Sequence, residues 1–166
     1  MSAPIATDRR GNMLIAITTA TAEELDDAVA HTPCPLALVV LIDSVTGDVL
    51  FGLNTWRREY ELPGGIVESG EAFVEAARRE LEEETAIRVE TLDLVGYARF
   101  ALTDPNREEL GAVYRAEVTG QQAAASDEMQ HFVWRKPLSE SELAISALDD
   151  AIADRVSRSR RRSVTA

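Results

Sequence analysis

The chain has 166 residues, 45% of them hydrophobic, with a formal net charge of -12. That length supports one domain with a real core, and the acidic balance excludes a general nucleic-acid binder or a membrane-surface protein, since both need basic faces. The lone Cys34 cannot form an internal disulfide, no Cys/His cluster has zinc spacing, and the apolar run Leu36 to Ile42 falls far short of the roughly 20 residues that span a bilayer. With no signal-peptide pattern after the early arginines, a soluble cytoplasmic protein is expected.

Residues 1–12 read as a loose tail, 13–156 as a single domain and 157–166 as a basic tail. Met13 to Thr18 fits a short strand. Thr21 with Glu24 is a capping box, and Leu25 and Val29 continue it into a brief helix that stops before Pro33-Cys34-Pro35. The run Leu36 to Ile42 predicts a strand buried on both faces, joined through an Asp43–Asp48 turn to a returning strand, Val49 to Leu53.

Past the central stretch described next, Val89 to Leu102 predicts one long or two broken strands, with Gly96 a bulge or close-approach point. The segment 104–109 reads as a polar loop by composition. Ala112 to Val118 and Met129 to Arg135 follow as strands. Ile145, Leu148, Ile152 and Val156 recur at helical spacing, which predicts a closing helix over Leu143 to Val156. The last stretch, with Arg155, Arg158, Arg160, Arg161 and Arg162, reads as a solvated or self-associating tail rather than a nucleic-acid arm. Helices on both faces of a mixed sheet, an α/β fold, account for this order.

The stretch Tyr60 to Ile87, YELPGGIVESGEAFVEAARRELEEETAI, carries the chemistry. Phe73, Ala77 and Leu81 mark the buried stripe of a helix. Glu80 and Glu84 project about 20° to either side of Phe73, at the margin of that stripe, and Glu83 lies on the same arc. Carboxylates crowded beside a core resist desolvation and repel one another, so a hard divalent cation is the expected neutraliser. On the outer side, Glu75 with Arg79 and Glu82 with Arg78 are spaced for ordinary helical ion pairs.

This stretch resembles the signature of the Nudix hydrolase family, G-x5-E-x7-R-E-U-x-E-E-x-G-U with U a bulky aliphatic residue. Gly65, Glu71, Arg79, Glu80, Leu81, Glu83, Glu84 and Ile87 stand at the required spacings. Ala86 stands where the family has glycine. It carries no ligand atom, so the departure bears on how the helix ends, where a left-handed residue is common.

The resemblance implies an α/β/α sandwich and metal-dependent cleavage of a diphosphate linkage. Glu80, Glu83 and Glu84 would hold Mg2+ or Mn2+, and Gly64 and Gly65 would let the backbone approach phosphate. Arg79 would anchor Glu71 in a supporting role. In the family the general base is either a signature glutamate or one from a separate loop. Glu128, in the segment before the last strand, resembles such a loop acid, with a solvated turn as the alternative reading.

Trp56, Tyr97, Tyr114 and Trp134 are each able to stack on a base, although core positions are the commoner use of such residues. His31 and His131 show no partner pattern. The Glu61-Leu62-Pro63 lead-in is similar to that of relatives acting on ADP-ribose and nucleotide sugars. A nucleoside diphosphate derivative is therefore the expected substrate. The alternatives are a MutT-like nucleoside triphosphate pyrophosphohydrolase and a non-catalytic nucleotide-binding module. The expected partner is a nucleotide-type small molecule, with no stable nucleic-acid or membrane binding and a homodimer left open.

Overall fold

Strand β3 (Leu36–Asp43) organises the sheet. In the structure, a computed structural model that describes residues 2–159, Ala37, Val39 and Leu41 enter one core and Leu38, Val40 and Ile42 the other. Both faces are covered, as an uninterrupted apolar strand requires. β3 runs parallel to β8 (Asn106–Val118) and antiparallel to β6 (Gly64–Ile66).

The expected hairpin between β3 and β4 (Val49–Asn54) closes only at its base, through Ile42 and Val49. Beyond that point β4 turns away to pair with β5 (Tyr60–Glu61) and β9 (Met129–Arg135). Two strands that share a base but diverge leave an opening in the sheet. With β1 (Ala6–Thr7), β2 (Met13–Thr19) and β7 (Asp93–Thr103), the order is β1-β2-β7-β8-β3-β4-β5, β6 joining β3 and β9 joining β4.

Helices α1 (Ala22–Val29) and α2 (Phe73–Thr85) cover one face, burying Leu25, Ala76, Ala77 and Leu81 with Val39, Leu41 and Tyr114. α3 (Ala147–Ser159) covers the other with Leu148, Ile152 and Val156 against Val40, Phe51 and Val113. The result is an α/β sandwich with a mixed sheet, the architecture expected from the sequence. The Thr21–Glu24 capping box forms, with Glu24 N–H donating to Thr21 Oγ1 at 3.2 Å and Thr21 N–H donating to the Glu24 carboxylate at 2.8 Å. β7 is one continuous strand whose register shifts between Leu94 and Gly96, at the expected bulge. Among the described residues no helix is long and apolar enough to cross a membrane.

Composition misled at three places. Residues expected as a loose tail form a hairpin: β1 pairs with β2, and Asp8 Oδ1 accepts from Arg10 N–H and Asn12 N–H to close the turn. The polar segment 104–109 shortens to a tight turn, because β7 and β8 stay paired out to Thr103 and Asn106. There Arg107 pairs with Glu109 and Arg99 with Glu108, so charged residues extend the ladder beyond the core. The closing helix begins at Ala147, not Leu143. Tyr60 N–H donates to Ala144 O and Ser146 N–H to Tyr60 O, which holds 144–146 extended, and Ser146 Oγ then accepts from Asp149 N–H at 3.3 Å. Of the expected basic tail, residues 160–166 lie outside the described residues.

Ala86 ends α2 with φ 60° and ψ 15°, in the left-handed region, its N–H donating to Glu82 O. Alanine is strained there and glycine is not. Ala86→Gly is expected to raise the unfolding free energy by up to about 1 kcal/mol, after allowing for the greater freedom of glycine in the unfolded chain. Denaturant titration checks it, and a loss of stability would count against a strained cap.

Candidate active site

The site begins where the chain leaves β5. Leu62 and Pro63 are buried, and Pro63 O accepts from Val39 N–H at 2.8 Å, which holds the segment against β3. Gly64 has φ +155°, and a Cβ there would lie 2.4 Å from Ala37 O. A Cβ on Gly65 would lie 2.5 Å from the Glu80 carboxyl carbon. The first glycine lets two backbones meet, and the second leaves room for a carboxylate.

Glu80 and Glu84 stand one turn apart on α2 and are 8% and 3% exposed. Glu84 Oε1 accepts from Gly64 N–H at 2.8 Å. Arg79 fastens the adjoining loop to the helix: its Nε and Nη2 donate to the two oxygens of Glu71 at 2.8 and 2.9 Å, Nη2 also reaches Ile66 O, and Nη1 donates to Glu80 at 2.8 Å. The bidentate fork fixes orientation as well as charge. This differs from the outer-face pairs expected for the helix. Glu75 accepts from Ala72 N–H, and Glu82 pairs with Arg88, because Arg79 is drawn inward by three carboxylates and a carbonyl.

Glu128 arrives from the loop before β9. Thr55 N–H donates to Glu128 O at 3.0 Å and Thr55 Oγ1 to Asp127 O at 2.9 Å, so the end of β4 holds this loop. One carboxylate oxygen each from Glu80, Glu84 and Glu128 lie within 4.8 Å of one another. Glu83 is exposed, lies outside this trio and accepts from Arg79 Nη1 at 3.3 Å.

Burial pushes Glu84 up to about 8; Gly64 N–H opposes the shift, while the charges of Glu80, Glu128 and Glu61 add to it. Burial also raises Glu80, against the guanidinium of Arg79. Glu71 is held down at about 2 by its bonds to Arg79 and by Glu68 N–H. Two desolvated carboxylates and a third beside them, offering oxygen donors only, fit a hard divalent cation, and the missing side chain of Gly65 gives Glu80 the space to contribute.

The aromatics separate clearly. Tyr114 is buried and Tyr97 and Trp134 pack against the α2-side core, whereas Trp56 is 68% exposed, one residue beyond the Thr55 that holds the Glu128 loop. His31 and His131 are exposed and neither is in the carboxylate trio. Arg57, which carries no motif, donates to both oxygens of Glu61 at 2.6 and 2.8 Å, and the charge of Glu61 adds to the upward shift of Glu84. Their spacing of four carries no signal outside a helix.

The NUDIX domain family model matches residues 34–155. The chain is 33% identical over 75 residues to an ADP-ribose pyrophosphatase of Methanocaldococcus jannaschii, covering 45% of this chain and 44% of that protein. It is 35% identical over 80 residues to an oxidized purine nucleoside triphosphate hydrolase of Danio rerio, covering 48% of this chain and 49% of that protein. The matches thus span about half the length of these curated relatives. Among solved structures, the Bacillus subtilis pyrophosphohydrolase BsRppH superposes with a TM-score of 0.68 at 21% identity, over 96% of each chain. The NUDIX domain of Shewanella oneidensis NrtR, complexed with ADP ribose, gives 0.66 at 15%, over 86% of this chain and 99% of that one. At these identities the likeness speaks for the fold. With the family model spanning both the carboxylate helix and the loop of Glu128, this chain belongs to the NUDIX domain family.

Proposed function

We propose that the chain is a divalent-cation-dependent pyrophosphohydrolase. Its substrate in this reading is a nucleoside diphosphate derivative such as ADP-ribose or a nucleotide sugar, cleaved by water attack at phosphorus. The convergence of Glu80, Glu84 and Glu128 within 4.8 Å, two of them buried, carries the reading. Magnesium or manganese held by Glu80 and Glu84, beside Glu128, would withdraw charge from the phosphates and lower the pKa of a water.

The chain's own residues do the rest. Glu80 and Glu84 offer buried oxygens, and the N–H of Gly64 fixes the direction of Glu84. Arg79 keeps Glu80 oriented while it holds the 66–71 loop in place. Glu128, exposed at the opening, is placed to take the proton of the attacking water. Water adds across one P–O bond of the anhydride, giving a nucleoside monophosphate and the phosphorylated remainder. Glu83, one position before Glu84 and exposed, would add a third carboxylate at the rim of the cation site.

Two substitutions separate these roles. Glu128→Gln is expected to lower kcat about a hundredfold or more, with a smaller change in Mn2+ affinity. Glu83→Gln is expected to weaken Mn2+ binding by roughly tenfold and lower kcat with it. Parallel loss of affinity in the first variant would make Glu128 a ligand instead of the base; unchanged affinity in the second would leave Glu83 as a partner of Arg79 alone.

The activity named for the Methanocaldococcus jannaschii relative supports a diphosphate substrate, while that of the Danio rerio relative supports the triphosphate alternative. Retention of every signature carboxylate favours hydrolysis over a binding module. A panel of ADP-ribose, UDP-glucose, diadenosine polyphosphates, NADH and ordinary and oxidised nucleoside triphosphates, with Mg2+ or Mn2+ and chromatographic product analysis, tests the choice. Nucleoside monophosphate plus sugar phosphate is the expected outcome. Selective conversion of triphosphates to monophosphate and pyrophosphate would overturn the substrate class.

A further inference from the structure

We propose that Asp149, in the first turn of α3, is a positioning residue for the carboxylate trio, acting through the Leu62–Gly64 backbone. The ladder between β4 and β5 ends at Glu61, so the next N–H must find a partner elsewhere. Leu62 N–H donates to Asp149 Oδ2 at 2.9 Å. Just upstream, Tyr60 N–H donates to Ala144 O at 2.7 Å and Ser146 N–H to Tyr60 O at 2.9 Å, a parallel bridge between Tyr60 and Ile145. The approach to α3 therefore grips residues 60–62 in succession.

Two residues further on, Gly64 N–H donates to Glu84. Between these bonds Pro63 O accepts from Val39 N–H. The segment is thus fixed from α3 on one side and β3 on the other, and it has little slack with which to absorb a shift at Leu62 before Gly64 moves. Asp149 is held at a cost, because burial and the neighbouring charges of Glu61 and Glu59 disfavour its ionised form, while Leu62 N–H and Arg57 oppose them. A carboxylate kept in such surroundings, its oxygen accepting from the N–H just past the end of the β5 ladder, fits a role in placing Gly64.

The proposal rests on Glu80 and Glu84 as a cation site, and its test reads that site without requiring turnover. Mn2+ binding to the substrate-free protein, followed by electron paramagnetic resonance, is measured for Asp149→Ala, Asp149→Asn and Val156→Ala. Val156 is a core residue of the same helix, fully buried and remote from this bond, so its variant controls for loss of stability alone.

Asp149→Ala is expected to weaken Mn2+ binding roughly tenfold or more, as loss of a supporting contact does. On a cleaved substrate it should lower kcat similarly while KM moves less. Asp149→Asn, which keeps an acceptor oxygen, is expected to stay within about threefold of the parent. Should Asp149→Ala not fold, Asp149→Ser carries the same comparison. Parent affinity in the alanine or serine variant, or an equal loss in Val156→Ala, would overturn the positioning role. If no substrate is cleaved but the affinity pattern holds, the positioning stands and the hydrolase reading falls.

Discussion

Glu84→Gln is expected to abolish most turnover while making the cation-free protein more stable at alkaline pH. The two effects have one cause. Glu84 is a 3% exposed carboxylate whose pKa is pushed up to about 8, chiefly by burial. In the unfolded chain it titrates near 4.5. The folded state therefore holds more protons than the unfolded state between these values, and without a cation stability falls as pH rises through that window. The amide buries no charge and still offers an oxygen to Gly64 N–H, so its advantage grows from about pH 5 and levels off above about pH 8.

Thermal unfolding in EDTA from pH 5 to 9 measures this difference. A variant less stable than the parent at pH 9 would show that the buried charge is compensated by protein groups alone. Saturating Mg2+ should reverse the order by binding the folded parent. In activity, the loss of one anionic ligand should cost about a thousandfold in kcat, since several kcal/mol of charge stabilisation are at stake and each 1.36 kcal/mol is a factor of ten.

Arg79→Lys is the second large effect. A lysine keeps the charge but not the fork, so it cannot hold both oxygens of Glu71 together with Ile66 O and Glu80. The 66–71 loop should loosen and kcat/KM fall roughly 10- to 100-fold. The acid end of the stability profile supplies an independent reading. Glu71 is depressed to about 2 in the fold, so its favourable contribution is present above its unfolded value near 4.5 and disappears as pH falls toward 2. Arg79→Lys should flatten that part of the profile, whereas retained activity with an unchanged acid limb would deny Arg79 its anchoring role.

The helix of the signature was legible because its residues are local: a 3.6-residue period and fixed spacings put Glu80 and Glu84 on one margin whatever the remainder of the chain does. β3 was equally plain, since a strand covered on both faces has to be apolar throughout. What the sequence hid depends on distant segments. Ser146 and Ile145 continue a helical pattern, yet Tyr60 draws them into an extended bridge. Asn106 to Glu109 look like a loop, yet β7 offers them a ladder. Glu83 and Glu84 are neighbours of equal standing in the motif; the helical period turns Glu84 toward the core, and the approach of Gly64 and of the Glu128 loop completes its surroundings.

The central claim, that a cation held by Glu80 and Glu84, with Glu128 as the base, drives cleavage of a diphosphate, is tested most directly by phosphorus NMR of ADP-ribose incubated with the purified chain. With Mg2+ or Mn2+ the two diphosphate resonances should give way to two monophosphate resonances, and they should persist in excess EDTA and with Glu84→Gln. Cleavage that continues undiminished in EDTA, or in the Glu84→Gln variant with Mg2+, would contradict it.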